Sequence, residues 1–297
     1  MLDNLTTETR NRRTMDLDQL PTISVLELIQ EEDAKVSLAI KEKLPEIELV
    51  TKRVIESFKE GGRLIYLGAG TSGRMGILDA VECVPTFGTD PEMVQGVIAG
   101  GDAAIRFAVE GAEDSPEQGA ADLEKLDLSA KDTVLGIAAS GRTPYVIGGL
   151  RYATGVGAAT ASLACNKDAE ISKYAEYPIE IVTGPEVLTG STRLKAGTAQ
   201  KMVLNMISTA AMVGIGKTFS NLMVDVQPTN EKLVARAKSM IREITGCDVE
   251  TASKYYEMSH HQVKAAVTML LAGLNYEEAR KRLEESDGFI SRAIQQK

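Results

Sequence analysis

From Arg63 onward, the chain alternates short continuous apolar runs with stretches of helical pattern. Apolar runs of this length are typical of strands that are buried on both faces of a parallel sheet, and the helical stretches between them supply the crossovers. Each run ends in Gly, Ser, Thr or Asn, the residue types found in the ligand-binding loops of open α/β sheets. The pattern therefore predicts an α/β fold whose strands are 64–67, 94–99, 133–139, 158–164 and 179–182.

The segment before the first strand predicts an N-terminal arm and helices over residues 1–50. Ser24 and Glu27 match the Ser-x-x-Glu capping box, which predicts a helix start at this point. A second helix is expected to begin at Pro45 and to end at Gly61–Gly62, since proline suits a first helical turn and glycine a C-terminal cap.

The segment after the last strand is predicted to be helical. Residues 191–216 indicate one long helix or a broken pair, and Pro228 with Thr229 marks a domain boundary. We therefore expect an α/β domain over 51–227 and a small all-α domain over 228–297. Its short helices are predicted around 230–245, 248–258, 261–272 and 275–285.

Composition excludes several classes of function. The net charge of −9 gives no long-range attraction for nucleic acid or anionic lipid. The polar N-terminus has no signal-peptide pattern, and no apolar run reaches the ~20 residues that a membrane span needs. Three scattered cysteines, Cys83, Cys165 and Cys247, predict free thiols and a reducing, cytoplasmic location.

A glycine-rich loop at 68–73 follows the first predicted strand and precedes a helix. Its sequence, Gly-Ala-Gly-Thr-Ser-Gly, has the G-x-G-x-x-G form of dinucleotide-binding loops. Glycines let the backbone approach a phosphate, and the helix N-terminus adds amides and a favourable dipole. Dinucleotide binding also requires an acidic residue at the end of the second strand, where only Asp102 is a late candidate. A tight turn without a ligand is the alternative.

A second hydroxyl-rich loop follows the third predicted strand. Ser140, Gly141, Arg142 and Thr143 precede Pro144, which suits the first turn of a helix. Two such loops at neighbouring strand ends can hold one phosphate from both sides, although an ordinary helix cap explains the second loop alone. We expect phosphate to be bound by Gly70, Thr71, Ser72, Ser140, Gly141, Arg142 and Thr143.

These two loops resemble the phosphate loops of sugar isomerase (SIS) domains. Together with further strings at 109–114, 190–198 and 221–226, they resemble the N-acetylmuramic acid 6-phosphate etherase family from about residue 5 to the C-terminus. The resemblance implies a parallel, flavodoxin-like three-layer SIS domain and a ubiquitin-associated-like helical tail. It differs from many SIS domains at Ala138 and Ala139, where those domains place polar residues.

The resemblance implies cleavage of the C3 lactyl ether of an amino sugar phosphate by elimination and then hydration, with no cofactor. A base removes the C2 proton, and an acid protonates the departing lactate oxygen. Glu113 matches the position of the expected base and Glu82 that of the acid, and Glu110 is a rival for the base. Apolar neighbours lead us to expect that Glu82 is buried with a raised pKa.

Other polar residues leave alternatives open. Ser191 and Lys195 are candidate contacts for the substrate, as is Arg193, and a solvated helix end is the alternative. His260 and His261 are expected to lie on a helix, where adjacent side chains diverge, so we expect no metal site.

The expected partner is a small sugar phosphate, with no nucleic acid and no membrane. The apolar stretch 191–216 predicts a homodimer. A sugar-phosphate sensor and a sugar-phosphate isomerase are the alternative functions, and a dinucleotide oxidoreductase is disfavoured by the missing ribose partner.

Overall fold

A parallel sheet occupies the centre of the first part of the computed structural model, which describes residues 5–226 and 231–295. Its strands are β1 (Leu64–Gly68), β2 (Val94–Ile98), β3 (Thr133–Ala138), β4 (Ala159–Ala164) and β5 (Tyr177–Glu180). Their spatial order is β2-β1-β3-β4-β5, and every neighbouring pair is parallel. This is the flavodoxin-like order, in which ligands bind beyond the carboxyl ends of the strands where the order reverses. Here the reversal falls between β1 and β3.

Helices precede, connect and follow these strands. In chain order they are α1 (Thr22–Asp33), α2 (Val36–Lys41), α3 (Leu44–Lys59), α4 (Gly70–Phe87), α5 (Ala103–Arg106), α6 (Pro116–Glu124), α7 (Pro144–Val156) and α8 (Lys195–Gly214). The predicted helix from Pro45 to Gly61 corresponds to α3, and residues 191–216 contain one continuous helix, α8.

The burial of the central strands explains why their sequences are continuous apolar runs. Every residue of β1, β3 and β4 is buried, because helices cover both faces of the sheet centre. The edge strands β2 and β5 are only partly buried. Strand β5 lies two residues earlier than predicted and includes Pro178, which an edge strand tolerates because one side of its backbone needs no ladder partner.

The N-terminal expectations need correction. Helix α1 begins at Thr22 with Pro21 as its N-cap, so Ser24 lies inside the helix and the predicted capping box is wrong. Pro21 has a φ of −58° and favours an earlier helix start. The expected arm is instead packed, with Thr7 and Asn11 among its buried residues.

Two compact units divide the chain. The first comprises residues up to Val81 together with Pro91–Ser208, and the second comprises Glu82–Asp90 together with residues from Thr209 onward. The predicted boundary at Pro228 and Thr229 lies outside the described residues.

The second unit is helical apart from a small hairpin. The hairpin strands are β6 (Thr218–Phe219) and β7 (Leu222–Met223), and the helices are α9 (Glu231–Thr245), α10 (Val249–Met258), α11 (Val263–Ala272), α12 (Tyr276–Glu285) and α13 (Ile290–Ala293). Apolar residues of these helices form a hydrophobic core of their own, which includes Met240, Tyr256 and Val267. His260 and His261 lie in the turn after α10 at positive φ, so the expectation that they lie on a helix is wrong.

Candidate active site

The glycine loop links the carboxyl end of β1 to the first turn of α4. Gly70 has a φ of +52°, a conformation that favours glycine. A Cβ on Gly68 would lie 2.7 Å from the Gly73 nitrogen, so the backbone of the strand end packs directly against the backbone of the helix. The loop therefore brings the unpaired amides of the α4 N-terminus to the strand end, which is a suitable arrangement for an anion.

The Ser140 loop, which we define as residues 140–143, stands at the neighbouring strand end. Strands β1 and β3 are paired with Gly68 opposite Ile137, so the two loops leave the sheet side by side at the reversal point. The Ser140 hydroxyl accepts a bond from the Arg142 amide at 3.3 Å, which leaves its proton for a ligand. Thr143 is the N-cap of α7, and its side chain makes no capping hydrogen bond.

Ser72 differs from the other candidate phosphate ligands. It is buried, and its hydroxyl donates to Oε1 of Gln200 at 3.0 Å. Its single proton is therefore already engaged within the protein. Gln200 is fully buried, and its Nε2 has no hydrogen-bond partner within the described part of the chain. Sequence patterns gave no sign of Gln200, because the contact spans 128 residues.

A pocket of about 180 Å³ lies beside the glycine loop within the first unit. Gly70 and Arg74 line one part of it, and Glu110 and Glu113 line another. Glu113 lies in a short 3₁₀ turn, Ala112–Asp114, and is exposed to solvent. Both rivals for the base therefore reach the same pocket, next to the proposed anion site.

Arg74 holds the segment that leads to Glu113. Its Nε donates to the Ile105 carbonyl at 3.0 Å, and its Nη2 donates to the Phe107 carbonyl at 3.2 Å. The planar guanidinium can serve two carbonyls at once, which an ammonium group does less well. No local pattern predicted the role of Arg74, because its contacts with Ile105 and Phe107 span 31 and 33 residues.

Glu82 does not have the expected environment. It lies in α4, and its side chain is exposed, so the expectation of burial is wrong for the single chain. The helical repeat puts Leu78 one turn before Glu82, and Leu78 and Val81 are 47% and 61% exposed. Of the apolar neighbours seen in the sequence, Ala80 and Cys83 are buried, whereas Val81 and Glu82 face outward from the helix.

Lys195 is also placed differently from the expectation. It is only 1% exposed, and its Nζ donates to Oε2 of Glu32 at 2.7 Å. The carboxylate also receives bonds from Lys35 and Arg13. Burial raises the pKa of Glu32, but the hydrogen bonds from Lys195 and Lys35 outweigh burial and hold the pKa at about 2. Lys195 is therefore part of a buried ion pair, so the solvated alternative is wrong for it, whereas its contact with the substrate stays a prediction.

The start of α8 is fixed by a second buried carboxylate. Glu186 accepts bonds from the backbone amides of Lys195 and Ala196 at 3.0 and 2.9 Å. Burial raises its pKa although these amides oppose the shift. Ser191 is half-buried and Arg193 is exposed in the loop that precedes the helix, so both stay candidates for substrate contact.

No group of three or more His, Cys, Asp or Glu side chains that could hold a metal occurs within residues 5–226 and 231–295. In the same ranges, no helix has both the length and the apolar character of a membrane span. The three cysteines are unpaired, as predicted.

Comparisons with known proteins identify the fold of the first unit. The family model for the SIS domain matches residues 112–210, and the model for the glucokinase regulatory protein N-terminal SIS domain matches residues 46–154. The solved phosphoheptose isomerase from Francisella tularensis is 14% identical, with a TM-score of 0.50 over 65% of this chain and 100% of that chain. This likeness shows the shared fold.

Relatives with far higher identity cover the whole chain. The N-acetylmuramic acid 6-phosphate etherase of an Exiguobacterium strain is 62% identical over 99% of this chain and all of its own length. The protein of the same name from a Geobacillus strain is 61% identical over 99% of this chain and all of its own length. The chain belongs to the N-acetylmuramic acid 6-phosphate etherase family of SIS-domain enzymes.

Proposed function

We propose that this enzyme cleaves the C3 D-lactyl ether of N-acetylmuramic acid 6-phosphate, giving N-acetylglucosamine 6-phosphate and D-lactate. The observation that carries this proposal is the pocket in which Glu113 and the phosphate-type glycine loop meet. The family of the chain supports the ether as the bond that is broken. A substrate that contains muramic acid assigns the enzyme to amino-sugar catabolism and cell-wall recycling.

The reaction begins at C2. Opening of the sugar ring makes C1 an aldehyde, which acidifies the C2 proton, and Glu113 removes that proton. The C3–O bond then breaks, and the lactate oxygen takes a proton from Glu82. Water adds to C3 of the resulting alkene, and the C2 position is reprotonated. Two carboxyl groups in opposite protonation states can carry out both steps.

Glu113 is preferred to Glu110 as the base because its backbone is better fixed. Glu113 lies in the 3₁₀ turn, which is closed by a bond from the Asp114 amide to the Gly111 carbonyl at 3.2 Å. Ser115, the residue after this turn, caps α6 by accepting a bond from the Gln118 amide. Fixed geometry favours proton abstraction.

The phosphate is held, in this proposal, by amides and hydroxyls of the two loops. Gly70 and Thr71 supply the α4 N-terminus, and Ser140, Gly141, Arg142 and Thr143 supply the other side. The free proton of Ser140 and the uncommitted hydroxyl of Thr143 support these roles. Ser72 contributes its backbone amide, because its hydroxyl is bonded to Gln200.

A homodimer completes the proposal. The apolar residues of α8 do not support a dimer, because Leu204, Ile207 and others are already buried within the chain. The exposed Leu78 and Val81 of α4 support a dimer instead, since a second copy that covered them would also enclose the adjacent Glu82.

Free thiols at Cys83, Cys165 and Cys247 support a cytoplasmic enzyme. The core of the C-terminal helices supports a separate helical domain, which we propose over 228–297, after the SIS domain over 51–227 and the N-terminal helices over 1–50. That core also contains Val224 and Val226, which precede the proposed boundary.

Incubation with N-acetylmuramic acid 6-phosphate and an assay for free D-lactate tests the function. We expect D-lactate and N-acetylglucosamine 6-phosphate in equal amounts. A chain that binds the substrate but releases no lactate would be a sensor, and one that interconverts fructose and glucose phosphates would be an isomerase. Membership of the etherase family does not favour either alternative.

A further inference from the structure

The side chain of Asn166 joins the N-terminal segment to the Ser140 loop. Asn166 follows β4 and is only 1% exposed. Its Nδ2 donates to the carbonyl oxygens of Ala139 and Ser140, both at 3.3 Å, and to the Thr7 hydroxyl at 2.9 Å. One buried amide group thus holds the backbone of the Ser140 loop and a residue near the start of the chain.

The other end of the same amide also contacts the N-terminal segment. Its Oδ1 accepts bonds from the Thr6 hydroxyl at 2.9 Å and from the Thr7 backbone amide at 3.3 Å. The carbonyl oxygens and the Thr7 hydroxyl require an N–H donor, and the Thr6 hydroxyl and the Thr7 amide require an acceptor. The asparagine side chain supplies both a donor and an acceptor, whereas an aspartate carboxylate supplies only acceptors. The side chain is therefore specified by its two neighbours and not by packing alone.

The N-terminal segment is fixed along its length. Thr7 is fully buried, and its hydroxyl donates to Glu8 at 3.2 Å. A Cβ on Gly190 would lie 3.7 Å from Oε2 of Glu8, so this carboxylate stands beside the loop that leads to α8. Further along, the Thr14 hydroxyl donates to the Val187 carbonyl at 2.9 Å. The segment therefore spans both loops at this edge of the sheet.

We propose that Asn166 is a positioning residue for substrate binding, through which Thr6 and Thr7 fix the Ser140 loop in its phosphate-binding conformation. The inference rests on the proposed role of Ser140 as a phosphate ligand. Asn166 and Thr7 need not touch the substrate. Asn166 bonds the two backbone carbonyls that precede Gly141, a residue at a φ of +75° where the loop turns toward α7, and Thr7 holds Asn166 in place.

The test measures binding of N-acetylglucosamine 6-phosphate by calorimetry, with steady-state kinetics and thermal unfolding on the same full-length variants. Thr7→Val removes the hydroxyl at nearly constant volume, and Thr7→Ser restores it. Asn166→Asp replaces the donor that faces two carbonyl oxygens with an acceptor. Thr268→Val is the matched control, because Thr268 is equally buried and hydrogen-bonded in the helical unit. Ser140→Ala is measured alongside.

We expect Thr7→Val and Asn166→Asp to weaken binding and to raise KM by at least about tenfold, the scale of one lost hydrogen bond in a buried site. The value of kcat should change far less, because the C2 and C3 chemistry lies away from the phosphate. Thr7→Ser should bind like the unmodified protein. Thr268→Val should lower the unfolding temperature as Thr7→Val does and leave binding unchanged.

Other outcomes overturn the inference in distinguishable ways. If Ser140→Ala weakens binding but Thr7→Val behaves like Thr268→Val, Asn166 does not position the loop and the phosphate site stands. If Thr7→Val weakens binding but Ser140→Ala does not, the N-terminal segment acts elsewhere. If neither variant weakens binding, the assignment of phosphate to the Ser140 loop fails as well.

Discussion

At the scale of single residues, the pair Lys195–Glu32 is buried almost completely, whereas Lys35 bonds the same carboxylate from the surface. Breaking a buried pair leaves an uncompensated charge, which typically costs about 3–5 kcal/mol. Because Lys35 and Arg13 still bond the Glu32 carboxylate, we expect Lys195→Met to lower the free energy of unfolding by up to that amount, as measured by urea denaturation at neutral pH. Lys35→Met should cost less than about 1 kcal/mol, because exposed pairs contribute little.

The double variant Lys195→Met, Glu32→Leu is the control for this prediction. It should recover part of the lost stability, since no unpaired charge remains. Equal effects of Lys195→Met and Lys35→Met would contradict the structural role assigned to Lys195, and a rise in KM with no loss of stability would return Lys195 to the substrate site.

Ser140 is the residue on which the phosphate assignment depends most. A hydrogen bond to a charged group contributes about 1.5–3 kcal/mol, so Ser140→Ala should weaken binding of N-acetylglucosamine 6-phosphate by roughly ten- to a hundredfold. Ser129→Ala, at a hydroxyl that bonds Asp132, is the control and should leave affinity unchanged. Unchanged affinity in Ser140→Ala would remove this loop from the phosphate site.

At the scale of elements, Arg74 couples α4 to the segment that carries Glu113. Arg74→Lys cannot reproduce the two bonds to the carbonyls of Ile105 and Phe107. A displaced base lowers the rate of the chemical step, so we expect kcat to fall by roughly ten- to a hundredfold. Affinity for N-acetylglucosamine 6-phosphate should persist. Arg106→Lys, in the same segment, is the control. A rise in KM with normal kcat would mean that Arg74 binds the substrate instead.

The same scale shows what sequence could predict. The sequence predicts the bounds of β1, β3 and β4 to within a residue or two, because a strand that is buried on both faces requires a continuous run of apolar residues. The two loops at the strand ends followed from glycine and hydroxyl patterns and from strand order. These signals are local, and the elements they predict are determined largely by local sequence.

The errors have a common physical cause, which is contact between residues far apart in sequence. The solvated alternative for Lys195 is wrong because its partner Glu32 is 163 residues away and could not be predicted from local sequence. Asn166 was not singled out, because its contacts with Thr7 span 159 residues. Apolar neighbours of Glu82 predicted burial, but successive helical side chains point in different directions, so Ala80 and Cys83 are buried while Glu82 is exposed.

At the scale of the whole molecule, the exposed apolar residues of α4 predict self-association. Sedimentation should show a dimer, and Leu78→Glu or Val81→Glu should shift it toward monomer, because a charge would be buried in the interface. Val249→Glu, at an exposed apolar residue of α10, is the control and should stay dimeric. A stable monomer of the unmodified chain at working concentration would contradict the dimer, and with it the proposed enclosure of Glu82.

We propose that Glu113 removes the C2 proton and that Glu82 protonates the departing lactate. Proton NMR of N-acetylmuramic acid 6-phosphate in heavy water follows both steps in one sample. Glu82→Gln should lose lactate release by ~10²–10⁴-fold, the usual contribution of general acid catalysis, and still exchange the C2 proton for deuterium. Glu113→Gln should lose both, and Glu110→Gln should retain both. Normal C2 exchange in Glu113→Gln, with exchange lost in Glu82→Gln or Glu110→Gln, would contradict the account.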